Sequence, residues 1–204
     1  MTSIYHEGSR RLQQKFDTGR IAGIMDTRGV SDTISENDRE FIEARDMFFL
    51  ATCDDEGRAN CSYKGGDPGF VRVLDEHTIA FPNYDGNGMY LSMGNVLQHG
   101  QVGMLFVDFD GQHRMRLNGV ASIDEDDPLM ADYPEAQFIV RVRATQVFNN
   151  CPRYIHKYLL VERSKYVPRE ACQTPDPDWK TGLAEHRPDL LPKRDRERLA
   201  YAEQ

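Results

Sequence analysis

The stretch Phe81-Pro-Asn-Tyr-Asp-Gly-Asn-Gly-Met-Tyr-Leu-Ser-Met-Gly-Asn95 decides how this chain is read. A strand-like run, Thr78-Ile-Ala-Phe81, enters it, and a helix-like run from Met89 to Gln98 leaves it. Between them lies Asn83-Tyr84-Asp85-Gly86-Asn87-Gly88. A strand-to-helix turn presents unpaired N–H groups at the positive end of a helix, and two glycines let a ligand approach the backbone. Such a turn can seat a phosphate; the plainer reading is an ordinary tight turn. Gly86-Asn-Gly88 begins like a dinucleotide fingerprint, but the third glycine position holds Leu91 and no βαβ unit surrounds it. The Rossmann reading is therefore rejected.

Working outward, hairpins dominate. Met47 to Cys53 is an apolar run, Asp54-Asp-Glu-Gly57 a turn, and Arg58 to Lys64 alternates. Ala59, Cys61 and Tyr63 share one face; Arg58, Asn60, Ser62 and Lys64 share the other. Phe70 to Leu74 and Thr78 to Phe81 form a second hairpin. The helix after Gly88 is expected to bury Met89, Met93, Val96 and Leu97 and to stop near Gly100. Val102 to Phe109 reads as an apolar run broken only by Asp108, which predicts cover on both faces. Arg114 to Ile123 alternates, with Met115, Leu117, Gly119, Ala121 and Ile123 on one side. Phe138 to Phe148 is a further strand. Pro152 predicts a helix start, with Tyr154, Ile155, Tyr158 and Leu159 as its buried side.

The flanks differ from this region. Residues 1–35 read as a helical arm, with Leu12, Phe16, Ile21, Ile24 and Met25 as apolar points that must lie on the chain's own barrel or on a partner. Ser35-Glu-Asn-Asp38 resembles a capping box. Residues 166–204 carry five prolines and the single tryptophan, Trp179, which reads as a pin for the tail or a lid over a ligand; the last residues form a charged helix or fray. Six or seven short strands with a single inserted helix predict a small closed antiparallel barrel, a mainly β fold with helices at its ends.

Composition narrows the function. The net charge of −8 repels polyanions, so neither nucleic acid nor an anionic membrane is the expected partner. No apolar run approaches the roughly 20 residues of a membrane span, and Met1 to Gly8 has no apolar core of a signal peptide, so a cytoplasmic protein is expected. The four cysteines form no C-x-x-C pair and read as free thiols; the six histidines show no ligand spacing, and no metal site is predicted. Arg114, Arg116 and Asn118 share an outer strand face, which is either plain solvated surface or an anion contact. Ser62 and Lys64 share a face near a strand end and carry the same two readings.

Several segments in order resemble one family. They are Phe48-Phe-Leu-Ala-Thr52, Cys61-Ser-Tyr-Lys-Gly-Gly-Asp-Pro-Gly-Phe-Val-Arg-Val-Leu74, Phe81 to Met89, Gly94-Asn95, Val102-Gly-Met-Leu-Phe106, Arg116-Leu-Asn-Gly119 and Asn150-Cys-Pro-Arg-Tyr-Ile-His156. Together they look like the pyridoxamine 5′-phosphate oxidase-like, FMN-binding split-barrel family, over roughly residues 36–165. The resemblance implies a six-stranded antiparallel split barrel and a homodimer with two FMN molecules in grooves between subunits. By position it places Phe81, Pro82 and Asn83 beside the flavin ring, and Gly86, Asn87, Gly88 and Met89 beside the phosphate. Arg116, with Arg114, would stand in the groove, and Ser62 and Lys64 are further cofactor contacts. Arg153 and His156 would come from the other subunit.

The chain departs from true pyridoxamine-phosphate oxidases. Asn87-Gly88-Met89 stands where they carry an Arg-Lys pair, and the late Trp and Arg pattern is missing. An uncharacterised subgroup is implied: an FMN-dependent oxidoreductase acting on an unidentified small molecule. A non-catalytic flavin carrier or sensor, and a reductase using deazaflavin, remain as alternatives. No catalytic residue is singled out. His156 and Tyr154 read as proton donors or as packing groups, and Cys151 as a stabilised thiolate or a structural residue.

Overall fold

The alternation in the sequence becomes one antiparallel sheet in the computed structural model, which describes residues 3–202. Residues 1–2 and 203–204 lie outside the described residues, so the first residues of the expected helical arm and the last of the expected charged tail fall there. The chain forms two units, one up to Leu160 and one from Val161.

The first unit opens with α1 (Glu7–Lys15), α2 (Gly19–Arg28) and α3 (Glu36–Glu43). Ser35 and Asp38 exchange the two hydrogen bonds of a capping box at the start of α3, as the sequence predicts. Strands follow: β1 (Met47–Cys53), β2 (Ala59–Gly65), β3 (Arg72–Asp75) and β4 (Thr78–Asn83). Then come α4 (Leu91–His99), β5 (Gln101–Asp108), β6 (His113–Asp124) and β7 (Phe138–Asn149). The sheet order is β2-β1-β5-β6-β7-β4-β3, with every neighbouring pair antiparallel.

Seven strands stand where the family resemblance implied six, and the edges β2 and β3 do not pair with each other. The barrel is split rather than closed. Strand β3 is a four-residue edge that pairs only with β4. Strands β6 and β7, of twelve residues each, run through both halves of the sheet. The sheet wraps a core centred on Phe48, whose ring lies 5.0 Å from Phe81, 5.3 Å from Phe106 and 5.8 Å from Phe70. Leu50, Met104, Met115, Leu117 and Ile139 complete it.

Three further expectations are corrected. Strand β5 is not covered on both faces: Val102, Met104 and Phe106 are buried while Gly103 and Leu105 are half-exposed. Helix α4 begins at Leu91 rather than Met89; Met89 and Leu97 are exposed, and the buried stripe is Ser92, Met93 and Val96. No helix follows Pro152, and Tyr154, Tyr158 and Leu159 are exposed. The reason for the last is competition for backbone groups. Ile155 O accepts from Gln112 Nε2 at 2.7 Å and Tyr158 N donates to Phe109 O at 3.3 Å. Those bonds to the β5–β6 turn replace the helix, whose first turn is costly to nucleate. Leu12, Phe16, Ile21, Ile24 and Met25 of the arm are exposed in the single chain, so of the two surfaces expected to cover them its own barrel is not the one.

The second unit holds α5 (Asp178–His186) and α6 (Lys193–Ala202). A buried ion pair, Lys180 Nζ to Asp195 Oδ2 at 2.6 Å, staples the two helices, and Trp179 on α5 is half-exposed. Among the described residues no helix is long and apolar enough to cross a membrane, and no cluster of three or more histidine, cysteine or acidic side chains could hold a metal ion. All four cysteines are free.

Candidate functional site

Strand β2 is an edge whose polar residues face inward. Asn60, Ser62 and Lys64 stand opposite Thr52, Leu50 and Phe48, on the core side of β1, and are half-buried. Ala59, Cys61 and Tyr63 point the other way and are exposed. This inverts the usual burial pattern of a strand. Helix α4 lies over this inner face and meets it with a hydroxyl: Ser92 Oγ accepts from Asn60 Nδ2 at 2.8 Å and lies 2.9 Å from Ser62 Oγ. Asn95 on the same helix donates to Thr52 Oγ1 at 3.0 Å.

The turn from β4 into α4 closes the other side. Gly88 takes a left-handed conformation (φ 75°), which glycine adopts without strain, and Asn87 Oδ1 accepts from Met89 N at 3.1 Å. Tyr90, the residue that caps α4, is also left-handed (φ 49°) and gives no side-chain cap hydrogen bond. The first N–H groups of a helix have no partner within it. Space is open above Gly86 and Gly88.

These two walls enclose a cavity of about 340 Å³, at the small end of the range for ligand pockets. Its lining is Asn60, Ser62, Tyr63, Lys64, Asn83, Tyr84 and the run from Gly86 to Met93. Lys64 is the single charged side chain in that lining, in a protein of net charge −8. It has no ion-pair partner among the described residues, and burial alone pushes its pKa below the usual lysine value. Burial likewise pushes the Tyr84 phenol up to about 12, with Tyr133, Asp67 and Glu135 adding to the rise. A desolvated cation beside an uncapped helix start attracts an anion for two independent reasons.

The cavity brings together Ser62, Lys64, Asn83, Gly86, Asn87, Gly88 and Met89 from the sequence reading. Phe81 and Pro82 lie in the buried part of β4, Phe81 wholly inaccessible against Phe48. Arg114, Arg116 and Arg153 do not line the cavity of their own chain. Arg114 donates to Cys151 O at 2.8 Å, with its Nε left unpartnered. Arg116 sits on the outer face in a cross-strand row with Leu105, Phe49 and Tyr63, and Arg153 is exposed. Sequence reasoning missed Asn60 and Ser92. The signal for Asn60 was its place on the Ser62–Lys64 face; Ser92 had none, because a helix serine ordinarily points to water.

A split antiparallel barrel with an anion-attracting cavity between an edge strand and a helix start is the class that fold and site define. The sequence matches the family described as pyridoxamine 5′-phosphate oxidase over residues 34–161, more than half of its length, and the chain belongs to that family. No curated protein matches it. Among solved structures, HupZ of Group A Streptococcus is 18% identical, with a TM-score of 0.46 over 57% of this chain and 93% of its own. An FMN-binding protein of Syntrophomonas wolfei is 12% identical, with a TM-score of 0.44 over 68% of this chain and 97% of its own. HutZ, the heme storage protein of Vibrio cholerae, is 18% identical, with a TM-score of 0.42 over 57% of this chain and 94% of its own.

Proposed function

We propose that this chain binds FMN and works as a flavin-dependent oxidoreductase on a small molecule, as a cytoplasmic homodimer. The observation that carries the reading is Lys64: a half-buried, unpaired lysine facing an uncapped helix start inside one cavity. The donor set fits a phosphate monoester. Lys64 would supply the charge, Ser62 a hydroxyl, and the backbone from Asn87 into α4 its free N–H groups. When bound, the flavin supplies a ring that accepts or returns a hydride. The protein's part is to hold the phosphate end, orient the ring by Asn83 and the end of β4, and exclude water.

The small volume of the single-chain cavity supports a groove that a second copy would complete. The outer face offers a half-buried row of Phe49, Leu105 and Phe148, with Arg116 among them. Such a row supports pairing with another copy, which would carry Arg114, Arg116 and Arg153 toward the neighbouring cavity. Four free cysteines fit a reducing compartment. The test is the absorbance of the purified protein and its titration with FMN, riboflavin and a deazaflavin. Yellow protein that prefers FMN to riboflavin is the expected result. A colourless chain that ignores every isoalloxazine compound, or one that takes only deazaflavin, overturns it.

A further inference from the structure

The turn that seats the proposed phosphate is long and exposed, yet both of its ends meet at one side chain from a distant part of the sequence. Gln137 lies just before β7 and outside the cavity lining. Its Oε1 accepts from Asn83 Nδ2 at 3.0 Å and from the Tyr90 hydroxyl at 3.0 Å. Its Nε2 donates to Asp85 Oδ1 at 3.4 Å, and its backbone N–H donates to Asn83 O at 2.8 Å. Asn83 is the last residue of β4, Asp85 the second residue of the turn, and Tyr90 the left-handed residue at the head of α4. Two donors on one side of the amide and a carboxylate on the other fix which way it points.

We infer that Gln137 is a positioning residue: it clamps the entrance and exit of the 84–90 turn, so that the N–H groups between them stand ready for a phosphate before any ligand arrives. The inference rests on the FMN reading of the cavity. Between the clamped ends, Gly86 and Gly88 have open space around them. A non-glycine residue in the left-handed region is uncommon and persists where neighbouring contacts over-determine it. Tyr90 is held at its backbone by Gly94 N, which donates to its carbonyl at 2.7 Å, and at its side chain by the hydroxyl bond to Gln137. Holding a binding loop in its bound shape improves affinity by lowering the ordering cost of binding.

Two variants test this in the full-length protein. Gln137→Leu keeps the size and removes every side-chain hydrogen bond. It should weaken FMN binding about tenfold and riboflavin binding much less, because riboflavin brings no phosphate to the turn and loses only the support of Asn83. Amide hydrogen exchange of residues 86–90 should speed up in the ligand-free protein. Gln137→Glu places a second carboxylate beside Asp85 and loses the donor. Its affinity for FMN, taken relative to wild type at each pH, should be low at pH 8 and recover on acidification, as the new carboxyl takes up a proton and regains the shape of the amide. The clamp is overturned if Gln137→Leu binds FMN as wild type does, if riboflavin suffers equally, or if the Gln137→Glu loss ignores pH. Unchanged exchange at residues 86–90 overturns it whether or not FMN binds. A wild-type chain that fails to hold FMN overturns the cavity reading separately.

Discussion

Replacing Lys64 by methionine separates two effects that share one side chain. In the free protein the lysine is a cost: it is half-buried, charged, and without a counter-ion among the described residues. Toward a phosphate it is the one charged side chain that the cavity of a single chain supplies. A hydrogen bond to a charged group contributes about 1.5–3 kcal/mol net, so Lys64→Met should weaken FMN binding by roughly one to two orders of magnitude. The same substitution should leave riboflavin affinity nearly unchanged, since the lost partner is the phosphate. Without ligand the variant should melt higher than wild type at neutral pH, because an uncompensated buried charge has gone.

The sign of the pH dependence follows from burial. The folded chain holds the Lys64 pKa below the unfolded value, so between the two the unfolded state binds more protons and stability rises with pH. Below that window the folded protein carries the whole cost of the charged lysine; above the unfolded value the cost has vanished. The melting advantage of Lys64→Met should therefore be largest at neutral pH and shrink in alkali. FMN affinity of the wild type should fall across the same alkaline window as the free lysine loses its proton, and the variant should show no such fall. Thermal melts with and without FMN, and fluorescence titrations with FMN and riboflavin at several pH values, read all of this. An FMN-to-riboflavin preference equal to that of wild type would refute the placement of the phosphate beside Lys64.

Three other substitutions probe the surroundings. Arg116→Ala should weaken FMN binding about tenfold with the dimer intact on a sizing column, through loss of a charged hydrogen bond from the second copy; unchanged affinity removes Arg116 from the groove. Asn87→Pro deletes both a backbone N–H and the side-chain acceptor that holds Met89 N at 3.1 Å, so FMN should be lost on gel filtration; full retention moves the seat elsewhere. Phe48→Ala empties the centre of the core, where the ring is fully buried among Phe70, Phe81 and Phe106, and should cost about 3–5 kcal/mol in urea unfolding followed by circular dichroism. A loss no larger than that of a surface substitution would show that this ring cluster is not what the sheet folds around.

The strands were legible because side chains alternate and glycine marks the β1–β2 and β5–β6 turns: β1, β2, β6 and β7 fall within a residue or two of the sequence reading. Alternation, however, states only that two faces differ. For β2 it separated Asn60, Ser62 and Lys64 from Ala59, Cys61 and Tyr63 without saying which set turns inward. What decides that is α4, which arrives from thirty residues further along and covers the polar face with Ser92. The run after Pro152 failed for a related reason. Its helical spacing is real, but the partners that its backbone takes, Gln112 and Phe109, belong to a turn some forty residues earlier.

The same distinction explains the candidate site. Gly86, Asn87 and Gly88 could be read as a seat because a local conformation produces it. Gln137 could not, because a lone glutamine before a strand carries no pattern; its meaning comes from where β7 pairs with β4, with Phe138 opposite Asn83. That register delivers the preceding residue to the mouth of the turn. A shift of the β4–β7 register by a single residue would turn Phe138 to the opposite face and carry the Gln137 amide away from both Asn83 and Tyr90. The order of the proposed phosphate seat is thus fixed by a sheet register set mainly by core residues, Phe81 against Val140 and Ile79 against Val142, none of which touches the cavity.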